Sequence, residues 1–238
     1  MISVIMSVFN NSKTLERCIE SILNQDYKNF EFLIMNDFSK DSSSKILNEY
    51  VNQDSRIKVF NNKENIGLTK SLNILVNKSK GELIARQDAD DYSSENRLLM
   101  QVDYLRSKNL DACTTRSRVI STDKARPAIS YYLPIKLTMK YKNPFIHGSL
   151  MIKKKVLNDV GNYDEKFYYA QDYKLFKDLI NKGYKVNTLN KFLYYLKDAC
   201  HFLFCKNLYY NNNMILLCCQ VKNTDFLHFF LVLRLTRF

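Results

Sequence analysis

The chain opens on an apolar, β-branched run, "ISVIMSVF", in which only the small Ser3 and Ser7 are polar and no alternation gives it a wet face. Such a run predicts a strand buried on both faces, as in a parallel sheet. In "NNSKTLERCIESILNQ", Leu15, Cys18, Ile19 and Ile22 recur at helical spacing, with Asn11 or Ser12 placed to cap the helix. "FEFLIMND" predicts a second buried strand, and "SKDSSSKILNEYV" a polar turn and a helix carrying Ile46, Leu47 and Tyr50. "RIKVFNN", "GLTKSLNILVNKS" and "GELIARQD" continue the series as strand, helix and strand. This alternation implies right-handed crossovers and a parallel sheet. Ligands of such sheets bind beyond the carboxyl ends of the strands. There the first, second and fourth strands carry "FNN", "NDFS" and "DADD".

The second half is less regular. "ENRLLMQVDYLRSK" predicts a helix and "DACTTRSRVIS" a strand. "NPFIHGSLMIKKKVLNDVGNYDE" reads as loop, strand, helix and turn. "QDYKLFKDLINKGYKV" is an amphipathic helix with Gly183 just past its end. From Asp198 the chain becomes Asn-rich, with the apolar patches "MILLCC" and "FLHFFLVL". No internal repeat is visible.

Length and composition narrow the class. With 238 residues, 46% hydrophobic and 25% charged, the chain can bury a sizeable core as one α/β domain or two small ones. The formal net charge is +12, and from Lys124 to Lys155 eight basic residues occur with no acidic one. Such a segment suits anionic lipid headgroups, a phosphorylated substrate or nucleic acid, or is a solvated face. No helix-turn-helix, zinc or aromatic RNA-binding signature supports nucleic acid. Six cysteines show no C-x-x-C pair and no zinc spacing, which points to a reducing, cytoplasmic compartment, with Cys18 as a buried free thiol. The start "MISVIMSVFN" is not read as a signal peptide, and no apolar run is long enough to span a bilayer. The tail segment "FLHFFLVLRLTRF", with Arg234 and Arg237, suits either a membrane interface or packing on the domain or a second subunit.

The chemistry concentrates in "GELIARQDADDY". Asp88 and Asp90 alternate along an extended segment and so share one side. Two such carboxylates can share a hard divalent cation, and the cation offsets their repulsion. Read as residues alone, they also fit a solvated acidic loop. Asp37 ends the second strand, where a carboxylate can accept from a base-edge N–H or act as a turn acid. Phe9 could stack on a base, but read alone it is a core aromatic. Asp172 opens the helix in "YAQDYKLF", as a capping acid or as a general base.

The blocks "SVIMSVFNNSKTLERCIESILNQ", "FEFLIMNDFSKD", "NIGLTKSLN", "GELIARQDADDYSSENRL" and "NPFIHGSLMIKKKVLNDVGNYDEKFYYAQDYKLFKDLINKGY", in this order, resemble the family 2 inverting glycosyltransferases of the GT-A fold over roughly residues 1–196. The resemblance implies an α/β, Rossmann-like domain with a mostly parallel central sheet flanked by helices. It divides the chain into a nucleotide-sugar half at 1–92, an acceptor half at 93–197 and a divergent helical tail at 198–238. It implies a nucleotide-diphosphate sugar donor, Mn2+ or Mg2+, and a lipid-linked or oligosaccharide acceptor met at the inner face of the plasma membrane. Phe9 and Asn10 match residues lining the nucleotide, and Asp37 matches the acid contacting the base. Asp88 and Asp90 match the metal and ribose pair, Asp172 the base, and His147 a block bordering the acceptor pocket. Gln171 stands where the family has Glu, and Glu95 where it often has Pro. Asp198 or His201 stands near where the family has a further metal-side His. The implied activity is inverting sugar transfer in bacterial surface-polysaccharide assembly. The alternative is a degenerate nucleotide-binding protein without transferase activity.

Overall fold

The computed structural model describes residues 1–167 and 170–197. The tail reading at 198–238, with Asp198 and His201, lies outside them. The first half follows the apolar pattern. Strands β1 (Ile2–Val8), β2 (Phe30–Asn36), β3 (Ile57–Asn61) and β4 (Leu83–Arg86) alternate with helices α1 (Leu15–Leu23), α2 (Ser43–Gln53) and α3 (Leu68–Lys78). All pairings among these four strands are parallel, in the spatial order β3-β2-β1-β4. Ile2, Val4, Ile5, Met6 and Val8 of β1 are fully buried, alternately against the core on each face of the sheet. Each such side chain is worth about 1.5–3 kcal/mol relative to exposure.

The second half completes the same sheet but changes its direction. Strand β8 (Met151–Lys153) lies antiparallel between β4 and β6 (Ala112–Val119). Strand β9 (Val186–Leu196) then runs parallel to β6, with irregular register around Arg116. The two-residue strands β5 (Tyr92–Ser93) and β7 (Ala125–Arg126) pair with β9 and β6. Helices α4 (Arg97–Ser107), α5 (Ile135–Thr138), α6 (Lys154–Asp159) and α7 (Gln171–Asn181) complete the described elements, with short 3-10 turns at Ile129–Tyr132 and His147–Ser149. The sheet is thus parallel in its first half and mixed in its second.

Two local departures bear on the site. Helix α1 starts at Leu15 without a side-chain cap. Asn11 and Ser12 instead give their backbone N–H groups to Ser43 Oγ and Asp41 Oδ2, tying the end of β1 to the start of α2. The eleven-residue β9 was not expected from the sequence. Gly183 does follow α7, at φ +82, where a residue without Cβ is unstrained. Among the described residues, no helix is long and apolar enough to cross a membrane.

Candidate functional site

The carboxyl ends of β1, β2 and β4 carry the residues the sequence singled out, and the amino end of α7 supplies Asp172. Phe9 is 46% exposed, so it is not the core aromatic that its residue type suggests. Asn10 sits at φ 53; its N–H donates to Ser39 Oγ and its Oδ1 accepts from the Lys40 N–H. These bonds hold the end of β1 against the loop after β2. Phe38, at φ 64, is likewise exposed on that loop. A bulky residue at positive φ is unusual and marks a loop held by its surroundings.

Asp37 lies deeper, at 2% exposure. Its Oδ1 accepts from Asn62 Nδ2 at 2.8 Å and the Ile66 N–H at 3.0 Å, and its Oδ2 from the Gly67 N–H at 2.9 Å. The carboxylate thus fixes the loop leading into α3.

The acids of "DADD" separate into distinct environments, because Ala89 and Asp90 form a turn closed by the Asp91 N–H on the Asp88 carbonyl and not the extended segment that alternation assumes. Asp88 is half-buried, and its Oδ1 accepts from Arg86 Nη2. Its backbone N–H donates to the buried hydroxyl of Tyr194 on β9 at 3.0 Å. Asp91 is buried and accepts from the Lys197 N–H at 2.8 Å. Burial, and then the negative charges of Asp88 and Asp90, push its carboxyl well above the usual carboxylate range. Extra positive charge at this point would relieve that repulsion. Hard carboxylate oxygens on Asp88 and Asp90 fit Mg2+ or Mn2+, which takes few protein ligands and completes its shell with phosphate and water. Among the described residues no group of three or more His, Cys, Asp or Glu forms a self-sufficient metal cage.

Arg86 was not singled out in the sequence, although a cation inside the apolar "ELIAR" run is a visible anomaly. It is buried at 1% exposure, between Asp88 and His147. Its Nη1 lies 2.7 Å from His147 Nδ1, and His147 Nε2 lies 3.0 Å from the Tyr163 hydroxyl. Burial and the Arg86 charge push the His147 imidazole well below its ordinary value, so it is neutral. Because guanidinium only donates, Nδ1 is the acceptor and Nε2 carries the proton toward Tyr163.

Asp172 lies in the first turn of α7, after Ala170 in a left-handed conformation at φ 56. Its Oδ2 accepts from Asn143 Nδ2 at 2.8 Å. Burial raises its carboxyl above the usual range, against the opposing pull of hydrogen bonds and of Arg86. The Arg86 charge feels both Asp88 and Asp172, so one buried cation lies within electrostatic reach of both carboxylates. Sequence reasoning also missed Asn143, Tyr194 and Gly148. A Cβ at Gly148 would stand 2.3 Å from the Tyr194 hydroxyl and 2.7 Å from Asp88 Oδ2. Nothing in the local sequence signals these three, because only the folded sheet brings them to Asp88 or Asp172.

Comparisons with known proteins show the family and the fold. The chain is 35% identical over 187 residues to the O-antigen biosynthesis glycosyltransferase WbnJ of Escherichia coli, covering 76% of this chain and 72% of that one. It is 32% identical over 202 residues to the putative glycosyltransferase EpsE of Bacillus subtilis, with 83% and 73% covered. Among solved structures, TarS 1–349 of S. aureus in complex with UDP-GlcNAc superposes with a TM-score of 0.71 at 20% identity, over 82% of this chain and 57% of that chain. A mannosyltransferase of Pyrobaculum calidifontis in complex with GDP-Man and Mn2+ superposes at 0.67 and 18% identity, over 82% and 56%. The chain thus spans somewhat more than half the length of these solved relatives, and they share its fold. The sequence profile of glycosyl transferase family 2 matches residues 3–161, two thirds of the chain, and the chain belongs to that family.

Proposed function

We propose that the protein transfers a sugar, most simply a hexose from a UDP-sugar, to a saccharide hydroxyl by a single inverting displacement in surface-polysaccharide assembly. One observation carries this reading: a buried Arg86 pairs with Asp88 and lies within electrostatic reach of Asp172; in this reading Asp88 faces the donor and Asp172 the acceptor. Phe9 and Asn10 bound the nucleotide end, where an exposed ring can stack on a base. Asp37 holds the wall of that end through its bonds to Asn62, Ile66 and Gly67. Asp88 and Asp90 would hold a divalent cation, which supplies positive charge to a departing diphosphate. Asp172 accepts the proton of the attacking hydroxyl, and its raised affinity for that proton suits a base working near neutral pH. Asn143 orients the carboxylate. The similarity to an O-antigen enzyme supports the polysaccharide assignment.

The test is transfer from a panel of nucleotide-diphosphate sugars to saccharide acceptors, read by mass spectrometry, for the wild type and Asp172→Asn. Wild-type transfer that falls about 10²–10⁴-fold in the variant supports the base. Full turnover by Asp172→Asn overturns it. Nucleotide binding without transfer to any acceptor would instead favour the degenerate reading.

A further inference from the structure

Residues 129–142 reverse the usual placement of polar and apolar side chains. Ser130 and Thr138 are buried, while Ile129, Tyr132, Leu133, Leu137 and Tyr141 point into solvent, Ile129 at 77% and Tyr132 at 72% exposure. A water-facing segment normally shows the opposite pattern. The segment is not a loose loop. The Thr138, Met139 and Lys142 N–H groups donate to the carbonyls of Pro134, Ile135 and Thr138, extending the helical turn of α5 on both sides. Met139 and Phe145 root it in the core, and the Tyr173 hydroxyl of α7 donates to the Met139 carbonyl.

The charge within this segment has one sign. Lys136, Lys140 and Lys142 are exposed among the apolar residues, and no acidic residue occurs between Lys124 and Lys155. The cluster Lys153–Lys155 belongs elsewhere: Lys153 pairs with Asp111, and Lys154 donates to the Ser79 carbonyl. Aliphatic and tyrosine side chains with interleaved lysines match the boundary of a bilayer. There, rings and aliphatic tips enter the headgroup region while ammonium groups reach phosphate. A symmetric contact with a second copy would instead set the same lysines against one another.

We propose that the face formed by residues 129–142 docks the protein on an anionic lipid bilayer. The assignment stands on this face alone. Its consequence for catalysis rests on the transferase reading above. Asn143, directly after the face, holds Asp172, so docking brings the base to the surface where a lipid-anchored acceptor presents its hydroxyl.

The experiment is co-sedimentation of the full chain with phosphatidylglycerol-containing and pure phosphatidylcholine vesicles. Three proteins are compared: wild type, Ile129→Ser/Tyr132→Ser/Leu137→Ser, and Lys136→Glu/Lys140→Glu/Lys142→Glu. Wild-type binding that needs the anionic lipid and weakens about tenfold or more in each variant supports the proposal. Nucleotide-dependent stabilisation, measured on the same samples, reports that the variants are folded and the donor site intact, so failure here is separable from failure of the transferase reading. Equal binding by all three proteins overturns the proposal and moves membrane contact to another segment. So does equal binding to neutral vesicles, or no wild-type binding at all. A change from dimer to monomer in the serine variant with vesicle binding unchanged assigns the face to self-association and also overturns it.

Discussion

At the scale of single residues, the behaviour of Asp172 follows from burial opposed by hydrogen bonds and the Arg86 charge. Its carboxyl is raised above the ordinary range mainly by burial, while Asn143 favours the charged form. The acid limb of kcat/KM is therefore expected above the ordinary carboxylate value of about 3.9. Asn143→Ala, which removes a donor to the anion, moves that limb further up, as a pH–rate profile would show. The stability effect has a definite sign. A group whose folded pKa is raised contributes stability below its unfolded pKa and loses it as pH rises through the folded value. At neutral pH the native state thus carries the cost of a desolvated charge, and Asp172→Asn should melt higher than wild type there, with the gap closing in acid. The same logic applies to His147. Replacing it with Phe leaves Arg86 Nη1 buried without an acceptor and costs about 1–3 kcal/mol. His147→Asn, which keeps an acceptor, recovers part of that loss in a denaturant melt.

At the scale of elements, Gly148 shows what the sequence concealed. The first four strands were legible because strands buried on both faces leave continuous apolar runs and their helices leave periodic ones. The position of the candidate residues from Phe9 to Asp90 at the sheet edge was legible because strand ends are fixed once strands are. Strand β9 was not legible. Its first residues include the polar "NTLNK", and Tyr194 is buried among Arg97, Gly148 and Asp88, which only the folded sheet brings to it. Strand β5, just after the acidic motif, is two residues long and exists through its pairing with β9. Gly148, in the turn before β8, is where these late elements meet the early ones. Gly148→Ala forces the new methyl against Tyr194 and Asp88. We expect about 1–3 kcal/mol of destabilisation from overpacking and, in a titration with nucleotide and Mn2+, weaker binding from the displaced Asp88.

At the scale of the whole molecule, one sheet edge gathers groups from distant parts of the chain, so ligand binding should report on the global fold. A ligand that binds only the native state stabilises it by RT ln(1 + [L]/Kd), about 2.7 kcal/mol at a hundred times Kd. The arrangement makes this stabilisation conditional. Exposed Phe9 offers stacking to a base, but a diphosphate beside Asp88 and Asp90 would meet like charge. Arg86 is already engaged by Asp88 and His147. A divalent cation changes the sign of that encounter, so nucleotide and metal should stabilise the protein together far more than either does alone. Thermal melts with UDP, GDP, CDP and dTDP, each with and without Mn2+, check this. A metal-dependent rise with one nucleotide identifies the base of the donor, and Asp90→Asn should abolish the metal dependence. A rise that is the same without metal removes Asp88 and Asp90 as the cation site. No rise with any nucleotide removes the donor site, and with it both the transferase reading and the degenerate nucleotide-binding one.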